Sequence, residues 1–183
     1  MNSSSIRRIA IAGVLTAMTV LTTIFTKIPI SVANGYFNLG DTVIIATGAL
    51  FGGFAGAFAG AAGSAIADIL TGAYLFAPIS FIVKGAEGFV AGILSAEGRR
   101  SAQDADERRR SPTSHKLTPA LVVGGIVMVA GYFLAEATVL SLFDRTFGVA
   151  AAVAELPFNL VQGGVSVILA RLAIEGIRQT KII

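Results

Sequence analysis

The stretch FIVKGAEGFVAGIL, residues 81–94, decides how this chain is read. It is apolar enough for hydrocarbon, yet Lys84 and Glu87 stand near its middle. Pro78 precedes it and EGRRSAQDADERRRS, residues 97–111, follows. An ionisable residue inside an apolar span is costly and marks a partner or a ligand. The question is whether the surrounding chain is a membrane protein, and what those two charges serve.

The composition answers the first part. Of 183 residues, 54% are hydrophobic and only 14% are charged. Mean hydropathy is +0.77. Soluble domains carry about 25% charged residues. Here the charges cluster near residues 1–8, 97–116 and 171–181, with long apolar runs between. The pattern predicts an all-α integral membrane protein. There is no cysteine, so disulfides and thiolate metal sites are excluded. The single histidine, His115, sits in the polar middle stretch and reads as solvated. No metal and no cofactor is expected. The net charge of +3 has a topological explanation and does not point to nucleic acid. The N-terminal apolar run reads as a retained span, not a cleaved signal.

One membrane domain, 1–183, is expected with six transmembrane helices at about 6–28, 41–52, 54–71, 77–96, 118–141 and 149–177. The second and third follow from length. Residues 41–71 as one helix would reach about 46 Å, more than a hydrocarbon core of about 30 Å, so a break is placed at Gly52-Gly53. Arg7, Arg8, Arg99, Arg100, Arg108, Arg109, Arg110, Lys116, Arg178 and Lys181 fall on one side of this topology, with only Lys27 and Arg145 opposite. Positive residues stay inside, which places both termini and the loop 97–117 in the cytoplasm of a multi-pass cell-membrane protein.

That orientation gives each polar residue a depth. Lys84 and Glu87 are at i, i+3; Tyr132 and Glu136 at i, i+4; Glu155, Asn159 and Gln162 at i, i+4, i+7. Three stripes in the outer halves of three helices suggest a cavity open to the outside. Pro157 supports this, since it frees a backbone carbonyl one turn earlier. Lys84 and Glu87 are then a pocket wall, or else a structural clamp. Asp41 is read as a helix N-cap and Asp68 as a helix-end cap or partner. Gly48, Gly52, Gly56, Gly60 and Ser64 recur every fourth residue and read first as internal helix packing, with a dimer face as the alternative. Gly13 and Ala17 form a second small pair, flanked by Val14, Leu15 and Met18, which read as lipid-facing. No phosphate loop, HExxH motif or periodic arginine array is present, which excludes self-powered ATP transport, a zinc protease and a voltage sensor.

The stretches GYFNLGDTVIIATGALFGG, GAAGSAIADIL, FAPISFIVKGAEGFVAGIL, GYFLAEA and LPFNLVQGG together resemble the substrate-binding S components of energy-coupling-factor (ECF) vitamin transporters. APxxxxxKGxEG with a later PFNxxQG is similar to the small riboflavin-type, pyridoxine or hydroxymethylpyrimidine branch. The resemblance implies a six-helix fold and a non-enzymatic subunit that captures a water-soluble vitamin near the outer face. It implies substrate contacts at Lys84, Glu87, Tyr132, Glu136, Asn159 and Gln162, with Tyr36 and Asn38 on a lid loop. It also implies docking of the first helix on a membrane-embedded coupling (T) subunit, here through Gly13 and Ala17, with glycine replacing one alanine. Two cytoplasmic ATPase subunits would supply the energy. A B6 vitamer or hydroxymethylpyrimidine is favoured, with riboflavin next. Tyr36, Tyr74, Tyr132 or a phenylalanine would stack on it, as there is no tryptophan. The competing class is a stand-alone secondary transporter using Glu87 or Glu136 as a proton site. A membrane enzyme is disfavoured because the carboxylates are scattered singly.

Overall fold

A computed structural model of the chain describes residues 3–30, 35–95 and 117–180. The arginines of the middle stretch, His115, loop residues 31–34 and Lys181 lie outside the described residues. Among the described residues the α-helices are α1 (Ser3–Phe25), α2 (Gly40–Phe51), α3 (Gly53–Leu70), α4 (Ala77–Leu94), α5 (Leu117–Leu134) and α6 (Val149–Gln179). A short hairpin joins α1 to α2: strands β1 (Ile28–Pro29) and β2 (Tyr36–Phe37) pair antiparallel, Ile28 opposite Phe37 and Pro29 opposite Tyr36.

Four segments are long and apolar enough to cross a membrane: Gly53–Leu70, Ala77–Leu94, Leu117–Leu142 and Val149–Gln179. Two apolar helices, Ile9–Phe25 and Gly40–Phe51, are shorter. Large apolar side chains such as Phe54, Ile82, Ile126, Leu134 and Leu160 point outward, more than half exposed. A face of that kind is stable against hydrocarbon and not against water.

The chain breaks between α2 and α3 at Gly52, whose φ of 98° is a conformation that side chains with a Cβ rarely adopt. The break folds α2 and α3 back on each other and brings both onto α4. Glycine makes that approach possible. A Cβ on Gly88 of α4 would press on the Gly56 backbone, 3.0 Å from its Cα, and one on Gly56 would meet the Gly48 Cα at 2.6 Å. The small-residue stripe is thus spent on packing within the chain. Without a hydrophobic driving force between helices in lipid, close backbone contact of this sort is what holds them together.

Two apolar clusters fill the interior. One, at the hairpin end, joins Phe76, Ile79, Val83, Met128, Leu140 and Phe147. The other joins Ile45, Ala49, Ala91, Leu121, Ala170 and Ile174. Along α4, Lys84 and Glu87 fall between them. Pro157 does not interrupt α6, which runs unbroken through it. The irregular backbone lies instead at the end of α5, where a π-helical turn (Ala135–Val139) and a 3₁₀ turn (Leu140–Leu142) follow. A π turn re-aims side chains by one residue and recurs at functional sites.

On α1, Leu15, Thr19 and Thr23 are buried, with Thr19 against Gly63 of α3. Leu15 therefore faces inward, contrary to the lipid-facing expectation, whereas Gly13, Val14, Ala17 and Met18 are exposed.

Gly88→Ala should destabilise the fold by about 1–3 kcal/mol, the scale of overpacking a tight interior. A lowered melting temperature in detergent checks it; an unchanged one contradicts the tight α3–α4 contact.

Candidate functional site

The polar residues of α2, α4, α6 and the hairpin converge beneath the hairpin. Asp41 is the organising group. It lies inside the first turn of α2, fully buried, and makes no cap. The N-cap expectation fails because the helix starts one residue earlier, at Gly40, with Leu39 as its N-cap, and the Asp41 carboxylate is turned to other helices. Asp41 Oδ1 instead accepts from Lys84 Nζ of α4, and Oδ2 accepts from Gln162 Nε2 of α6 at 2.7 Å. Glu87, one turn along α4, stands 3.4 Å from the same ammonium. A buried charge is tolerated only when paired and hydrogen-bonded. Here the pairing ties three helices to one point.

Above this layer the hairpin is fastened by its own backbone. Gly35 N–H donates to Glu155 Oε1 and Asn38 N–H to Gln162 Oε1, each at 2.8 Å. Tyr36 OH donates to Asp68 Oδ1 of α3. Burial, with Tyr132 and Asp68 nearby, pushes the Tyr36 phenol well above its usual pKa. Lys27 Nζ sits 3.9 Å from the centre of the Tyr36 ring and donates to Thr71 Oγ1 at 2.7 Å. Asp68 is therefore a hairpin anchor.

Between these layers lies a cavity of about 20 Å³. Tyr36, Asn38, Tyr132, Glu136, Asn159 and Gln162 line it, together with Gly35, Phe76, Ser80 and Glu155. Lys84 and Glu87 do not; they lie one layer below, with Lys84 5.2 Å from the centre of the Tyr132 ring. Tyr132 OH and Ser80 Oγ share a hydrogen bond of 2.7 Å, and the Phe76 and Tyr132 rings are 6.4 Å apart. Tyr74 is two-thirds exposed and is not part of the lining. Phe76 and Ser80 were missed in the sequence, although Phe76, Ser80 and Lys84 are at i, i+4 and i+8, one stripe. Among the described residues no group of three or more His, Cys, Asp or Glu is placed to hold a metal.

The fold and the cavity together define a helical membrane protein with a small, buried, polar chamber roofed by a loop. The chain matches the family of ECF-type riboflavin transporter S components across residues 3–179, and it belongs to that family. Its members are substrate-binding components of transporters. A Pyrococcus woesei protein described as an uncharacterized protein in the gap 3′ region is 36% identical over 150 residues, covering 81% of this chain and 86% of that protein. Among solved structures, the S component of a bacterial ECF transporter superposes with a TM-score of 0.71. It is 18% identical and covers 98% of this chain and 99% of its own, a likeness of fold.

Lys84→Met should cost about 3–5 kcal/mol of stability, because it strands Asp41 as a buried, uncompensated charge. Thermal melts of Lys84→Met and of the double variant Lys84→Met with Asp41→Asn check this. The double variant should recover part of the loss, and no recovery contradicts the pairing.

Proposed function

We propose that the chain is the vitamin-capture subunit of an ECF-type importer, crossing the cell membrane six times with both termini in the cytoplasm. The single observation that carries the reading is the polar chamber beneath a hairpin held by two backbone hydrogen bonds. At about 20 Å³ the chamber holds roughly one water, so a vitamin enters only when the hairpin lifts. The positive-inside bias puts the hairpin end outside, where a scavenged vitamin arrives. Lifting costs the Gly35–Glu155 and Asn38–Gln162 bonds, and the ligand's own polar groups replace them. Closure then excludes water and holds the ligand.

The substrate contacts are assigned to Tyr36, Asn38, Tyr132, Glu136, Asn159 and Gln162. Lys84 and Glu87 act through the layer beneath, holding Gln162 in place by way of Asp41. Phe76 and Tyr132 offer aromatic faces to a ring. A B6 vitamer or hydroxymethylpyrimidine is favoured, with riboflavin next, because the amides, carboxyls and tyrosine of the lining suit a small polar heteroaromatic ring.

ATP-driven transport requires partners, since the chain has no phosphate loop. These are a membrane-embedded coupling (T) subunit and two ATPase subunits. The docking face is the exposed side of α1, where a Cβ on Gly13 would meet nothing within 4 Å and Ala17 lies one turn on. Ala17→Leu should leave vitamin binding unchanged and abolish uptake in cells that hold the coupling subunits, because the bulk props the partner helix away. Normal uptake rules out this face. The purified chain should bind its vitamin tightly with no ion gradient. Weak binding, with uptake by the chain alone under a pH gradient, would establish the proton-coupled transporter instead.

A further inference from the structure

We infer that the chamber selects a vitamin carrying a cationic nitrogen, which Glu136 and Glu155 hold between them, over a neutral ring system. The inference rests on the reading of the chamber as the vitamin site and names its substrate class.

The argument begins with charge. Four helices and the π turn each contribute a buried acid at the hairpin end: Asp41 from α2, Asp68 from α3, Glu87 from α4, Glu155 from α6 and Glu136 from the π turn. The lysines acting on these groups are Lys84 and Lys27. Lys84 is bonded to Asp41 and faces Glu87; Lys27 lies at the hairpin, on Tyr36 and Thr71, and acts on Asp68. Glu136 and Glu155 are left to each other. Among the described residues the ion pairs are Lys84 with Asp41, Lys84 with Glu87 and Arg171 with Glu175, none of them to Glu136 or Glu155.

The second observation is the state of the Glu136 carboxyl. It is 1% exposed, lines the chamber, and neither oxygen has a hydrogen-bond partner among the described residues. Glu155, 2% exposed, has the Gly35 N–H, a bond that breaks when the hairpin opens. Asp41, by contrast, has both oxygens bonded; Glu87 also lacks a hydrogen bond but stands 3.4 Å from the Lys84 ammonium, and Asp68 keeps the Tyr36 hydroxyl on one oxygen. A buried acceptor without a donor is costly, and two facing carboxyls compound it. The π turn that aims Glu136 inward maintains this arrangement at the one irregular place in α5.

A cation relieves both costs. A primary ammonium, or the N–C–N edge of a protonated aminopyrimidine, carries enough N–H donors to reach both carboxylates. Its charge-assisted bonds are about twice as strong as neutral ones. Phe76 and Tyr132 border the same space and suit the attached ring. A hydroxyl in the same place donates one hydrogen and leaves the pair's charge unanswered.

Matched probes test this on the full chain in detergent. Pyridoxamine and pyridoxine share a ring and differ in one aminomethyl against one hydroxymethyl group. 4-Amino-5-hydroxymethyl-2-methylpyrimidine and its 4-hydroxy analogue differ likewise. In at least one pair the amine should bind about tenfold tighter or better. Glu136→Gln should shrink that ratio to about threefold or less without lowering the melting temperature. Glu155→Gln, which keeps an acceptor for Gly35, should do the same. Equal affinity within both pairs, binding of neither pair, or an undiminished ratio in both variants overturns the inference. Tight riboflavin binding alone would leave vitamin capture standing while removing the cation. Failure to bind any vitamin would remove the capture reading itself.

Discussion

The ion pair between Asp41 and Lys84 is the constraint on which the rest of the hairpin end depends. Asp41 uses both carboxylate oxygens, one on α4 and one on α6, so α2, α4 and α6 share a fixed point. Gln162 is oriented by that bond, and its other end is thereby turned to the Asn38 N–H of the hairpin. The position of the chamber roof is thus set from below, through one amide side chain. Backbone packing prepares the ground: the glycine contacts between α2 and α4, Gly48 against Gly88 and Gly92, bring the two helices close enough for a short aspartate to reach the lysine.

Much of the fold was legible in the sequence, because bilayer length and charge are coarse and strong signals. The apolar runs and the break at Gly52 needed only a ruler and the turn preference of glycine. The lining of the chamber was legible as stripes: Tyr132 with Glu136, and Asn159 with Gln162, border one cavity. Asp41 was misread because an acid at a helix start satisfies a local rule. Nothing local shows that the helix starts one residue earlier and that partners on α4 and α6 take the carboxylate. Between wall and clamp the sequence left Lys84 open, because depth along a helix is readable from sequence, whereas direction around it is not. Its placement beneath the chamber depends on Asp41, 43 residues away. The π turn was invisible for a related reason, since no single residue encodes it. Pro157 drew attention to α6, which stays regular.

Membership in the ECF-type riboflavin transporter S component family and the character of this chamber bear on different questions. The family accounts for a helical membrane protein that binds a substrate. Which substrate is a matter of a few side chains at the hairpin end, and folds of one kind host different ligands by varying such sites. Here the chamber is flanked by Phe76 and Tyr132 and is lined by the carboxyls of Glu136 and Glu155.

The central claim is that the vitamin occupies the chamber beneath the hairpin. An experimental structure of the protein with its co-purifying small molecule in place tests that most directly. The account predicts ligand density bounded by Phe76, Tyr132, Glu136 and Asn159, with the β1–β2 hairpin closed above it and the Asp41–Lys84 pair intact below. Density in the apolar groove that Val122, Ile126, Leu156 and Leu160 line between α5 and α6, or at the opposite end of the helices, would contradict it.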